Sequence, residues 1–249
     1  MLPHFSPWEW MAAAVAAVGI GVSKSGLPGI SLLHVLVFAQ LFPGPVSTGV
    51  VLPMLISGDI GAVLLFRRHA QWSHVFRTLP PALVGVVIGW WILGALPRVT
   101  FGPVIGGTVL LLALLQLFRT WKPLLFARLP HTLGFASGMG LTAGVTTMLA
   151  NAAGPVMGLY LLAVEMPKAE FVGTSAWFFL IINVLKVPFS AQLGFIGRDS
   201  LMFNAVLIPC IVAGLFLGRW VIPRIPQKWF DTLVLGFALV AALRLLTQG

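Results

Sequence analysis

Six stretches of this sequence are apolar and close to the length at which an α-helix crosses a bilayer, about 20 residues, and no motif restricts the fold as much. They run Val46–Phe66, Leu79–Leu96, Phe101–Phe118, Phe171–Phe189, Leu201–Ile222 and Phe230–Leu246. Hydrocarbon offers the backbone no water to bond with, so each run has to satisfy its own N–H and C=O groups as a helix. Two further apolar stretches, Trp8–Phe42 and Leu133–Val164, are too long for one crossing and are interrupted by glycine, proline and small polar residues. Each reads as a pair of helices broken in the middle. Only 8% of the residues are charged and the mean hydropathy is +1.01, against roughly 25% charged in an ordinary soluble domain. A water-soluble fold is excluded, and an all-α polytopic membrane protein with eight to ten transmembrane segments is expected.

The chain carries 15 Lys+Arg against 6 Asp+Glu. These basic residues stand in short clusters between the apolar runs instead of on one polar face, a pattern set by anionic lipid and the positive-inside rule. Lipid is therefore the expected partner, and nucleic acid is not. The stretch Trp8 to Ala17 precedes the first basic residue, Lys24, and no small-residue cleavage site follows it; it reads as part of the mature fold and not as a secretory signal. Cys210 is the single cysteine, and His4, His34, His69, His74 and His131 are dispersed without ligand spacing. Neither a metal site nor a cofactor is expected.

The sequence repeats itself. Gly49 and Asp59 map onto Gly173 and Asn183 at a shift of 124 residues, and Gly85-to-Gly89, Trp91, Pro97 and Gly107 map onto Gly214-to-Gly218, Trp220, Pro226 and Gly236 at a shift of 129. One GxxxG in a membrane helix is weak, because small residues occur wherever helices approach closely. Two at matching places, each followed by Trp and Pro, indicate two related halves: residues 1–120 and 132–249, joined by a basic inside linker over 121–131.

Charge placement bears on their orientation. If each broken stretch is a hairpin returning to its starting side, the second half is inverted, and Arg67, Arg68, Arg77, Arg119, Lys122, Arg128, Lys168, Arg219, Arg224 and Lys228 lie inside, 10 in all, against 3 outside, Arg98, Arg198 and Arg244. If each crosses once, the split falls to 8 against 5. The inverted arrangement, with both termini outside and three further spanning helices after each broken hairpin, is the expectation.

Within the first broken stretch, GIGVSKSGLPGIS over Gly19 to Ser31 places Lys24 between two serines. A charge at membrane depth costs about 2.5 to 3.5 kcal/mol on insertion scales, so it needs a reason. One reading is an anion site: Lys24 supplies charge, Ser23 and Ser25 donate hydrogen bonds, and Gly26 and Gly29 let backbone N–H groups approach the ligand. The other is a shallow loop with Lys24 snorkelling to water. The matching stretch GLTAGVTTMLANAAGPVMG, Gly140 to Gly158, holds Thr146, Thr147 and Asn151 where a hairpin would turn, giving either a neutral polar lining to the same site or only tight helix packing. Asp59 and the pair Asn183 and Lys186 occupy matching helices. An Asp59–Lys186 ion pair would lower the cost of both charges; alternatively Asp59 carries a proton or Lys186 completes the anion site. A Walker loop fails for want of the glycine before lysine. A Ser-Lys dyad has poor geometry, because adjacent side chains point apart, so enzymatic function is not expected.

The segments GIGVSKSGLPGISLL, VVLPMLISGDIGAVLLFRR, LPPALVGVVIGWWILG, GLTAGVTTMLANAAGPVMGLYLL and FVGTSAWFFLIINVLKVP together resemble the sulfite exporter family of TauE/SafE type, across nearly the whole chain. The resemblance implies a bacterial inner-membrane carrier, an exporter, for sulfite or a related small sulfur-containing anion such as thiosulfate or a short organosulfonate; a homodimer is left open. The run LANAAGPV departs from the pattern of its branch by placing Asn151 where a histidine often stands.

Overall fold

The computed structural model describes residues 5–26, 30–42, 46–96, 101–121 and 132–221. Nine α-helices and one short 3-10 turn make up its regular structure, and there is no strand among the described residues. In chain order they are α1 (Pro7–Lys24), α2 (Ser31–Leu41), α3 (Val46–Phe66), the 3-10 turn Arg67–His69, α4 (Trp72–Ala95), α5 (Phe101–Trp121), α6 (Leu133–Ala150), α7 (Gly154–Ala163), α8 (Lys168–Gln192) and α9 (Arg198–Val221). Five segments are long and apolar enough to cross a membrane: α3 with its 3-10 turn, α4, α6, α8 and α9. The expected span Phe230–Leu246, the linker 122–131 and Gly29 lie outside the described residues.

Both over-long apolar stretches are broken as their sequence demands. The helix α1 opens with a capping box, in which Ser6 N–H donates to Glu9 Oε2 at 2.7 Å and Ser6 Oγ accepts from Glu9 N–H at 3.4 Å, with Pro7 at the first helical position. It stops at Lys24, and Gly26 takes φ +117°, a conformation costly to any residue with a Cβ. Its counterpart α6 opens on Thr132, whose hydroxyl accepts from Phe135 N–H at 3.2 Å. Asn151 ends it at φ +52°, where an asparagine side chain tolerates the left-handed region. The helices α3 and α5 begin where the apolar runs do, at Val46 and Phe101, whereas α8 and α9 begin three residues earlier and α4 starts at Trp72 instead of Leu79 and continues through Pro80 and Pro81. Its first turns are polar and aromatic residues that a hydropathy scan passes over, although the headgroup layer accepts them.

Helix directions follow from the places where glycine lets backbones touch. A Cβ on Gly140 would stand 2.3 Å from Thr78 O near the start of both helices and one on Gly89 2.7 Å from Met148 Cβ near the end of both, so α4 and α6 run parallel in close contact. Likewise a Cβ on Gly214 would stand 2.2 Å from Val18 O and one on Gly218 2.9 Å from Ser25 Cβ, so α9 and α1 are joined in the same way. The matched GxxxG pairs thus perform matched tasks, each holding the second long helix of one half against the first hairpin helix of the other. At the centre, Gly49 near the start of α3 faces Phe195 O beyond the end of α8, and Gly173 near the start of α8 faces Phe66 O at the end of α3. Hence α3 and α8 are antiparallel. Pro80 in α4 and Pro209 in α9 add another match at 129 residues.

Large apolar side chains remain exposed on the outer faces, among them Trp8, Val84, Trp91, Leu111, Trp121, Phe216 and Trp220. An apolar belt of this extent is unfavourable in water and matches lipid.

Candidate functional site

Where the two hairpins turn, the helices leave a cavity of about 40 Å³. One water needs roughly 10–15 Å³ on the same measure, so the space suits a ligand of three or four heavy atoms. The end of α1 contributes Ser23, Lys24 and Gly26, and the start of α2 contributes Ser31 and His34. Across from them stand Thr147 of α6, Asn151 in the turn, and Ala153, Gly154 and Gly158 at and within the start of α7. The wall of α8 supplies Ser175, Phe179 and Asn183. Two helices, α2 and α7, therefore begin at the cavity, where first-turn N–H groups lack intrahelical partners and carry positive potential.

Lys24 does not snorkel. Its Nζ lies 2.7 Å from Asp59 Oδ1 and 4.6 Å from the centre of the Phe179 ring, with the Asp59 side chain wholly buried. Gly58 makes room for the lysine stem, since a Cβ there would come within 3.3 Å of Lys24 Cγ. Asn183 Nδ2 donates to the second oxygen of Asp59 at 2.7 Å. Asp59 and Asn183 are the residues related by the 124-residue repeat, and they meet where α3 crosses α8.

The expected Asp59–Lys186 ion pair is thus corrected: Asp59 pairs with Lys24. Lys186, only 2% exposed, points the other way along α8 and donates to Thr147 O at 2.8 Å, Thr147 Oγ1 at 3.0 Å and Asn151 Oδ1 at 2.5 Å. The i, i+3 spacing of Asn183 and Lys186 put both on one helix face, but the antiparallel crossing of α3 carries Asp59 to the level of Asn183. Lys186 secures the α6–α7 turn, and Asn151 Nδ2 in turn donates to Thr48 O of α3 at 2.8 Å.

Two serines also differ from expectation. Ser25 Oγ donates to Leu215 O at 2.9 Å and to Gly21 O at 3.3 Å, which ties α1 to α9 and keeps Ser25 out of the cavity lining. Ser23 lines the cavity, and its hydroxyl donates to Ile20 O at 2.8 Å; neither serine is paired with the lysine ammonium. Thr146 bonds back to Thr142 O within α6. Gly26, Thr147, Asn151 and Asn183 are brought together with Lys24, whereas Lys186 stands behind Thr147 and Asn151. Ser31 and His34 were missed, although an i, i+3 polar pair in an otherwise apolar α2 was the signal that could have found them. The GTSAWFF element resolves residue by residue: Gly173 admits the end of α3, Thr174 Oγ1 accepts from Gln71 N–H at 2.9 Å, and Ser175 and Phe179 face the cavity.

The sequence matches the sulfite exporter TauE/SafE family over residues 11–245, nearly the whole chain. The chain belongs to that family. As a TauE/SafE protein it is a multi-pass membrane transport protein, and a small anion is the class of substrate its family handles. No curated protein and no solved structure matches it.

Formal charges in and behind the cavity are Lys24, Asp59 and Lys186. The first two offset each other, and among the described residues Lys186 has only neutral oxygens around it. By formal charge the described residues of the site therefore carry one excess positive charge beside the N-termini of two helices, in surroundings where an isolated ion is expensive. Such an arrangement lowers the cost of bringing one anion out of water.

Proposed function

We propose that this protein is a secondary transporter that exports sulfite, or a closely related small sulfur-containing anion, across the bacterial inner membrane. The observation that carries the reading is the unbalanced buried cation: the cavity between the hairpin turns has Lys24 in its wall, Lys186 behind it and one carboxylate between them. Lys24 makes the direct ionic contact, and its two remaining donors are free of Asp59's single close oxygen. Thr147 and the first-turn N–H groups of α7 complete the cradle, while Asn151 and Lys186 hold that turn in place.

The two halves, 1–120 and 132–249 with the basic linker between them, form inverted repeats. Support comes from the antiparallel crossing of α3 and α8, from Asp59 bonding its own repeat counterpart, and from the exchange of α1 on α9 for α6 on α4. Arg67, Arg68, Arg77 and Lys168 then share one side, as the positive-inside rule asks. Substrate sites at the interface of such repeats, between broken helices, suit alternating access by rocking one half against the other.

The reading is tested with purified protein and a panel of sulfite, thiosulfate, methanesulfonate, sulfate and chloride. An anion bound by the folded state raises the unfolding temperature by mass action, and sulfite is expected to do so at lower concentration than chloride. Equal, small effects from every anion would remove the carrier reading.

A further inference from the structure

Most polar groups around the cavity are occupied within the protein, but two are not. Asn183, 1% exposed, commits Nδ2 to the Asp59 carboxylate, and because a carboxylate only accepts, the amide orientation is fixed. Its Oδ1 is left as a buried acceptor with no hydrogen-bond partner among the described residues, on a side chain that lines the cavity. His34, also 1% exposed, has neither ring nitrogen partnered among the described residues and lines the same cavity from α2. A neutral imidazole presents one donor and one acceptor.

An oxyanion stripped of every proton offers acceptors only. It satisfies Lys24, the helix N-termini and a His34 N–H, yet it brings a lone pair against Asn183 Oδ1 and against the second nitrogen of a neutral His34. Buried polar groups left in that state oppose binding. A hydrogen-bearing anion removes the conflict by donating to one of them. Charge points the same way, since a site with one excess positive charge neutralises a monoanion and leaves a dianion uncompensated.

We propose that the cavity takes its ligand as a singly charged, hydrogen-bearing oxyanion, such as hydrogensulfite, with either Asn183 Oδ1 or the acceptor nitrogen of His34 receiving the ligand's hydrogen, and that this requirement refuses sulfate. The inference rests on the reading of the cavity as the anion site. The proton stays on the ligand, so no group in the protein has to change charge for recognition. The titratable groups facing His34 and Asn183 are Lys24 from α1, Asp59 from α3 and, behind the lining, Lys186 from α8; α6 and α7 bring only neutral residues to the lining.

Four probes separate the terms. Sulfite and selenite keep a hydrogen near neutral pH, methanesulfonate is a monoanion with none, and sulfate is a dianion with none. Affinities are read from ligand-dependent shifts in unfolding temperature at about pH 6 and about pH 8. Sulfite is expected to bind at least tenfold more tightly than methanesulfonate or sulfate at the lower pH. It should weaken by roughly tenfold at the higher pH as the competent fraction falls. Methanesulfonate, having no second proton, reports any titration of the protein itself. His34→Leu should bring the sulfite-to-sulfate ratio towards one, and His34→Gln, which restores one donor and one acceptor, should recover part of it. If methanesulfonate or sulfate binds the parent as well as sulfite does, or if His34→Leu leaves the ratio unchanged, the inference falls while the carrier reading stands. If His34→Leu does not fold, the parent's sulfite-to-methanesulfonate ratio decides alone. If no probe binds the parent at either pH, both readings fall together.

Discussion

Replacing Asp59 by Asn and Lys24 by Met, singly and together, probes the centre of the site. With Nζ and Oδ1 2.7 Å apart and the carboxylate fully buried, the gross attraction is about 6 kcal/mol at an effective dielectric near 20. Much of this is cancelled by desolvation. The measurable quantity is the penalty for leaving one charge without its partner, about 3–5 kcal/mol for a buried pair. Among the described residues Lys24→Met leaves Asp59 with only Asn183 as donor; Asp59→Asn leaves an ammonium over Phe179, a contact worth about 2 kcal/mol when desolvated. Each single change should lower the unfolding temperature in detergent by on the order of 10 °C. The double variant removes both ions, so it should recover at least about 2 kcal/mol relative to the sum of the singles. It should nevertheless fail to move sulfite in proteoliposomes, because the ionic contact in the wall is gone. A double variant whose loss equals that sum would refute the pairing, and one that folds and transports at the parental rate would refute the role of Lys24.

Lys186→Met strips the donor from Thr147 O, Thr147 Oγ1 and Asn151 Oδ1; sulfite-dependent stabilisation should weaken at least tenfold, about 1.4 kcal/mol, as read by titrating the unfolding temperature. Gly144→Ala forces a Cβ to within 1.9 Å of Ala82 O and should destabilise by about 3 kcal/mol, whereas Gly138→Ala, which meets nothing within 4 Å, should be neutral or stabilise by up to about 1 kcal/mol; thermal unfolding compares them directly. In a Cys210→Ser background, cysteines near Arg198 should react with an impermeant reagent from outside and those in Arg67 to Arg77 should not, and the reverse pattern would overturn the inverted topology.

The helical membrane fold was legible in the sequence because it follows from one-dimensional quantities. Apolar run lengths, the glycine, proline and small polar interruptions at Gly21–Gly29 and Thr146–Gly154, and the doubled GxxxG each depend on local composition or on a fixed shift along the chain. Lys24, Thr147, Asn151 and Asn183 could be picked out for the same reason, since a polar group within an apolar run is conspicuous wherever it later points. Tertiary structure alone decided who meets whom. The antiparallel crossing of α3 and α8 brings Asp59 beside Asn183 and within reach of Lys24, and leaves Lys186 to the hairpin turn of its own half. The close approach of α1 to α9 turns Ser25 away from the cavity towards Leu215 O, and the start of α2 turns His34 into it. Spacing along a helix fixes which side chains share a face, but the partner of a buried charge is set by the direction and depth at which another helix crosses that face. No property of either helix read separately contains that information.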